Sequence, residues 1–377
     1  MSCWSCGRAT TPFYELKGVP TGSCVLLDTR AAAAGYQTGE LALSHCRACG
    51  LVQNDAFDES LVDYGSGYEA SQAFSPTFIA FAERLADGLI ERYGLRGATV
   101  FEPGCGDGDF LALMVDRTDG TGLGFDPAHV PGRVPPDLAG RVEIRPERFT
   151  PHSSVQADLI VCRHTLEHIN DLASFMTATA ETARRTQGAV VMFEVPEARR
   201  IFETGAFWDV YYEHATYFSP VSVENLFRRH GLSPRRIELE FDDQYIIVEA
   251  QVGGEGQVDV RSDPRIEAAV STFSYRAARQ IEHWRDVIAS ARRPVVWGAS
   301  SKAVGFMAAV EGVTHAVDIN PHKQGSFLAG SAVPVVGPDD LLAIAPDLVV
   351  VMNPIYAVEI SERLAGRSLS PEVAALG

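Results

Sequence analysis

Read as hydrophobic and polar positions, the middle of the chain repeats one pattern. Apolar runs at 98–101, 122–125, 141–144, 157–162 and 189–195 are each about the length of a strand, and stretches of helical length separate most of them. Ahead of the first run, Phe78, Phe81, Leu85, Leu89 and Ile90 share one side of a 3.6-residue period. Ser75-Pro76 supplies a start, so an amphipathic helix is predicted there, with another over 171–186. Strands alternating with helices predict a parallel, doubly wound sheet whose ligand sits at the carboxyl ends of the strands. Runs at 236–240 and 245–250, joined at Asp242-Asp243-Gln244, read as an antiparallel pair closing that sheet. A polar, glycine-bearing stretch from 253 to 264 reads as a linker, and a long helix over 265–291 follows it. A second strand–helix alternation opens at Pro294 and runs through 316–319 and 333–335 to an apolar strand at 348–352. The expected class is α/β, in three parts: 1–72, 73–252 and 253–377.

Composition changes the picture in three places. At 377 residues the chain exceeds one ordinary core. A formal net charge of −17, without any basic stripe, argues against a nucleic-acid partner. Even the longest apolar runs are only of strand length, so no membrane span is expected, and the polar, cysteine-bearing N-terminus lacks the apolar core of a signal peptide. The expected setting is cytoplasmic, with reduced thiols.

Two C-x-x-C pairs, Cys3/Cys6 and Cys46/Cys49, offer four thiolates on two turns. That spacing suits a tetrahedral zinc ion with no open position, hence a structural one. Cys24, Cys105 and Cys162 fall outside the pattern and read as small buried hydrophobes. The run at 98–101 breaks into Glu102-Pro103-Gly104-Cys105-Gly106-Asp107-Gly108, a glycine turn opening a helix. A carboxylate ahead of the first glycine favours a cationic ligand over a pyrophosphate. Asp126-Pro127 ends the next strand, where an acid can accept from both hydroxyls of a ribose. Tyr64-Gly65-Ser66-Gly67-Tyr68 reads as a loop whose hydroxyls either meet a substrate or simply bridge two parts of the chain. His164-Thr165-Leu166-Glu167-His168 spells H-x-x-E-H, but a peptidase zinc motif needs an established helix, and His164 stands where a strand ends. Between 207 and 220, Tyr211, Glu213, His214 and Tyr217 crowd among aromatics without helical or alternating order. There Glu213 is a candidate to orient His214 or hold its proton, giving a base near neutral pH; a core aromatic cluster is the bland alternative.

The glycine turn resembles motif I of the class I S-adenosylmethionine-dependent methyltransferases, in which the acid and the glycine backbone hold the amino-acid end of the cofactor. Leu166-Glu167-His168 resembles the run that lines their substrate pocket. The stretch Tyr211-Tyr212-Glu213-His214-Ala215-Thr216-Tyr217-Phe218, with the C-terminal phrases, is similar to the nucleotide-sugar C-methyltransferases. That resemblance covers nearly the whole chain and implies a zinc-binding N-terminal segment, a Rossmann-like class I methyltransferase domain and a second C-terminal Rossmann-like α/β domain. It implies His214 as base with Tyr211 and Glu213 as pocket partners, and it makes His168 and His164 candidates for polar contacts or proton handling. The expected cofactor contacts are Glu102, Gly104, Gly106, Asp126, Pro127 and Cys162. The implied reaction is methyl transfer to carbon of a nucleotide-linked keto-deoxysugar through an enolate. Transfer to oxygen or nitrogen of another small metabolite, and a non-catalytic scaffold, stay open. Gly298-Ala299-Ser300-Ser301-Lys302-Ala303 and the tyrosine loop depart from the family pattern, which leaves the sugar open.

Overall fold

The computed structural model describes residues 1–65, 67–253 and 260–377; Ser66 of the tyrosine loop and residues 254–259 of the expected linker lie outside the described residues. The strands in chain order are β1 (Thr11–Pro20), β2 (Thr38–His45), β3 (Val52–Asn54), β4 (Thr99–Pro103), β5 (Thr121–Phe125), β6 (Val142–Arg145), β7 (Leu159–Arg163), β8 (Val190–Pro196), β9 (Thr216–Tyr217), β10 (Leu232–Glu240), β11 (Tyr245–Val252), β12 (Pro294–Trp297), β13 (His315–Val317), β14 (Val335–Val336), β15 (Leu348–Val351) and β16 (Glu372–Ala375).

The central sheet has the order β10-β11-β8-β7-β4-β5-β6. Strands β4 to β8 run parallel, and β10 and β11 join antiparallel, as the alternation and the turn at 242–244 predict. Both faces of this sheet are covered, which is why its strands are continuous apolar runs. On β7, Leu159 and Val161 face the core with Phe81, Leu111 and Met114, while Ile160 and Cys162 face Met176 and Phe193. The helix Pro76–Tyr93 starts where expected: the Ser75 hydroxyl accepts the Phe78 amide, and Gly94, left-handed at φ 66°, ends it.

The C-terminal sheet is wholly parallel, in the order β14-β13-β12-β15-β16. The helix Pro264–Ser290 lies between it and the N-terminal part: Phe273 packs against Phe13 and Tyr14 of β1, and Trp284 against Phe306. At Gly305 a Cβ would lie 2.8 Å from the Trp208 carbonyl oxygen, so the helix Ser301–Met307 meets the aromatic stretch at backbone distance.

The N-terminal sheet runs β1-β2-β3-β9, and its last strand comes from far down the chain. Thr216 and Tyr217, which begin two residues after His214, pair with Gln53 and Val52. This explains why 207–220 shows no single periodicity: it holds a 3-10 turn at Phe207–Asp209, an irregular bend and a two-residue strand. No helix among the described residues is long and apolar enough to cross a membrane.

Candidate active site

A cavity of about 860 Å³ opens at the carboxyl ends of β4, β5 and β7 and continues to the turn after β12. Its first wall is the glycine turn. Gly104 has φ 73°, and a Cβ on it would meet the Thr165 hydroxyl oxygen at 2.1 Å, so only glycine fits against that threonine. Gly106 donates its amide to the Asp126 carboxylate at 2.7 Å, and the Ala128 amide donates to the other oxygen at 2.7 Å. Asp126 is thereby fixed at the tip of β5, with Pro127 beside it in the wall.

Glu102 is buried, and its Oε2 has no hydrogen-bond partner in the protein. Burial pushes its carboxyl up to about 8, against the pull of the Arg163 guanidinium. A buried carboxylate with an unmet oxygen, beside a backbone turn that has no side chain in the way, is a cradle for a cationic, donor-bearing group. The amino-acid end of S-adenosylmethionine is such a group, and these residues fit it.

Behind this wall, Arg163 grips Glu194 with two contacts, 2.8 and 3.1 Å, and lies 4.3 Å from the Phe110 ring centroid. His164, left-handed at φ 50°, places Nε2 2.7 Å from Glu194 Oε1 and Nδ1 3.5 Å from Glu167 Oε1. Against burial, these carboxylates raise His164 to about 9, while Arg163 and His164 hold Glu194 down at about 2. His164 is thus the charged partner in a fixed ion cluster, not a group poised to move a proton near neutrality.

The opposite wall carries Tyr64, Tyr68, His168, Tyr211 and His214. The Tyr211 hydroxyl lies 2.8 Å from His214 Nε2, and His214 Nδ1 has no partner. Burial, then the nearby His168, His164 and Lys302, push His214 well below its ordinary value, so the resting ring is neutral. His168 Nδ1 lies 2.9 Å from the Glu213 carbonyl and 2.9 Å from the Tyr64 hydroxyl; a carbonyl only accepts, so Nδ1 is the protonated nitrogen. Tyr64 and Tyr68 therefore belong to the cavity, not to a surface connection.

Two sequence expectations are corrected. Glu213 does not orient the His214 ring: its carboxylate turns away and accepts the Ser23 amide at 2.9 Å and the Ser23 hydroxyl, and it is absent from the cavity wall. Ser23 in turn reaches Ser301 at 2.8 Å, so Glu213 ties the N-terminal segment to the C-terminal turn. Burial raises this carboxyl to about 8. Cys162 is sealed in the sheet–helix core because its strand alternates, and its side chain does not face the cavity. Cys24 and Cys105, read as core residues, do reach the wall.

Several wall residues carry no role in the sequence reading. Arg163 had a signal: a lone charge ending an apolar strand at the ligand edge of a parallel sheet. Arg200 and Asp209 had none, since only the fold brings them to Lys302. Asp209 pairs with the Lys302 ammonium and lies 3.2 Å from Arg200. Lys323, buried, donates to the Ala299 carbonyl at 3.1 Å and to the Ser300 hydroxyl at 2.5 Å. In the N-terminal part, Cys3 and Cys49 sulfurs are 3.5 Å apart and Cys6 and Cys46 sulfurs 3.4 Å, and all four lie within 4.8 Å of one another.

Two family models match the chain: a methyltransferase domain over residues 78–236 and a C-methyltransferase C-terminal domain over 268–368. The chain is similar to C-methyltransferase NovU of Streptomyces niveus, at 27% identity over 367 residues, spanning 89% of this chain and 85% of that one. Looser structural overlaps include a Burkholderia thailandensis 1,6-didemethyltoxoflavin-N1-methyltransferase, at 15% identity and TM-score 0.37 over 46% of this chain and 79% of that one. Another is the magnesium protoporphyrin IX methyltransferase of Synechocystis PCC 6803, at 13% identity and TM-score 0.37 over 51% and 91%.

Proposed function

Since the chain belongs to the C-methyltransferase family and is an S-adenosylmethionine-dependent methyltransferase, we propose that its acceptor is a carbon next to the carbonyl of a nucleotide-linked keto-deoxysugar. The observation that carries this reading is the continuity of the cavity, which has the glycine turn of β4, the turn after β12 and His214 in one lining. At its far end Lys302, Lys323 and Arg200 line the wall beside Ser300 and Ser301. Cations with hydroxyls suit the diphosphate of a nucleotide, and a sugar reaching inward from there arrives at His214.

In this reading Glu102, Gly104, Gly106, Asp126 and Pro127 hold the cofactor, which supplies an electrophilic methyl on a sulfonium. His214, neutral at rest, takes the proton from the carbon next to the carbonyl. Tyr211, whose hydroxyl burial keeps protonated, donates to the oxygen on which charge develops. The walls exclude water and align acceptor carbon with the methyl. We also propose that Cys3, Cys6, Cys46 and Cys49 hold a structural zinc ion: bonds of about 2.3 Å in a tetrahedron put the sulfurs about 3.8 Å apart, close to the spacing found.

The test is incubation with a nucleotide-linked 4-keto-6-deoxyhexose and S-adenosylmethionine in deuterium oxide. Deuterium at the carbon next to the carbonyl before transfer, and a carbon-bound methyl after it, are expected. A methyl on oxygen or nitrogen would replace this reading, and failure to bind the cofactor at all would favour a scaffold.

A further inference from the structure

The base of this reading lacks the carboxylate that the sequence assigned to it, because Glu213 is spent on Ser23. Another carboxylate stands in its place. Glu167 is 2% exposed, lies in the cavity wall on the 3-10 turn Leu166–His168, and groups with His168 and His214, one donor atom of each lying within 4.8 Å of the others. Its Oε2 has no partner, and neither does His214 Nδ1. Two buried, unmet polar atoms of opposite character in one cluster are costly unless the site uses them. The turn that carries Glu167 is also tied to the base: the Thr216 hydroxyl, two residues after His214, lies 3.3 Å from the carbonyls of both Leu166 and Glu167.

We infer that Glu167 is the positioning residue for His214, the fixed anion that stabilises the imidazolium formed when the acceptor loses its proton. This rests on His214 being the base. In the step, the acceptor C–H bond breaks, the proton passes to a ring nitrogen of His214, and the electron pair moves into the enolate. The proton stays on the ring. The arrangement works as a carboxylate behind an imidazole does elsewhere: it sets the ring and pays back part of its burial once charged. The ionisable groups around Glu167 are His164 just before its turn, His168 on it, Cys162 at the end of β7, Tyr64 from the loop, and Tyr211 and His214 from the aromatic stretch.

Ring-labelled histidine NMR on the full chain, with His214 assigned by H214N, reads the inference without any acceptor. From about pH 4.5 to 8, the His214 midpoint is expected to fall by about one pH unit or more in E167Q, or to leave the window, and to move far less in E213Q. An unmoved midpoint in E167Q overturns the inference, and so does a wild-type ring that never titrates in that window. The second measurement is deuterium exchange into a nucleotide-linked 4-keto-6-deoxyhexose. E167Q is expected to lower its rate by about 100-fold with KM little changed, and E167D to restore part of it. If wild type fails to exchange this probe, the acceptor reading fails, and the titration still decides the role of Glu167.

Discussion

At His214 a neutral imidazole is buried near the charged His164 and Lys302 and hydrogen-bonded to Tyr211. Replacing it removes the proposed proton acceptor but touches no residue of the glycine turn. H214A is therefore expected to lose roughly 10²–10⁴-fold in turnover while S-adenosylmethionine binding, read by calorimetry, persists. Glu102 gives a pH signature. Burial raises its carboxyl from an ordinary 4.5 to about 8. Between those values the folded, ligand-free protein holds a proton that the unfolded chain has released, so this residue's contribution to stability falls as pH rises. A cationic ligand that needs the carboxylate displaces the proton. Cofactor affinity is expected to rise from about pH 5 to 8, by at most tenfold per unit, and E102Q should flatten that dependence in calorimetry. Residue types were legible at both places, but partners were not: the neighbour of His214 in sequence faces Ser23, and the carboxylate near its ring sits 47 positions earlier.

Among the elements, the β4 turn shows how local sequence and packing divide the work. The glycines and Glu102 announce the turn, yet the reason Gly104 tolerates no side chain is Thr165, delivered by the neighbouring strand β7. G104A is expected to strain this turn by on the order of 1–3 kcal/mol and to weaken cofactor binding, measurable by denaturant melts and calorimetry side by side. The start and the apolar face of the helix Pro76–Tyr93 were legible because both are local, while its stop at Gly94 went unread. Ser75 also donates to Glu359 at 2.8 Å, so S75A should cost about 1 kcal/mol or somewhat more, read by chemical denaturation. The stretch 207–220 resisted reading because its order comes from outside it. A two-residue strand has no period of its own, and β9 exists because β3 offers it an edge.

Across the whole molecule, the thiol cluster and the cavity are coupled through that same edge. Cys46 and Cys49 stand between β2 and β3, β3 pairs with β9, and His214 lies just before β9. Removing the proposed zinc with a chelator, or C46S, is expected to cut turnover severely although no cysteine of the cluster lines the cavity. Elemental analysis should find about one zinc per chain in the active protein, and its loss should parallel the loss of activity. The chain by itself determined its periodic parts: two doubly wound sheets, their helices, the paired C-x-x-C knuckles and the glycine turn, all written in spacing within one segment. Tertiary structure decided what meets across segments. It turned Glu213 to Ser23, set Glu167 beside His214, and brought Lys302 to Asp209, because direction and distance between remote residues depend on how the sheets pack, and no local pattern encodes that packing.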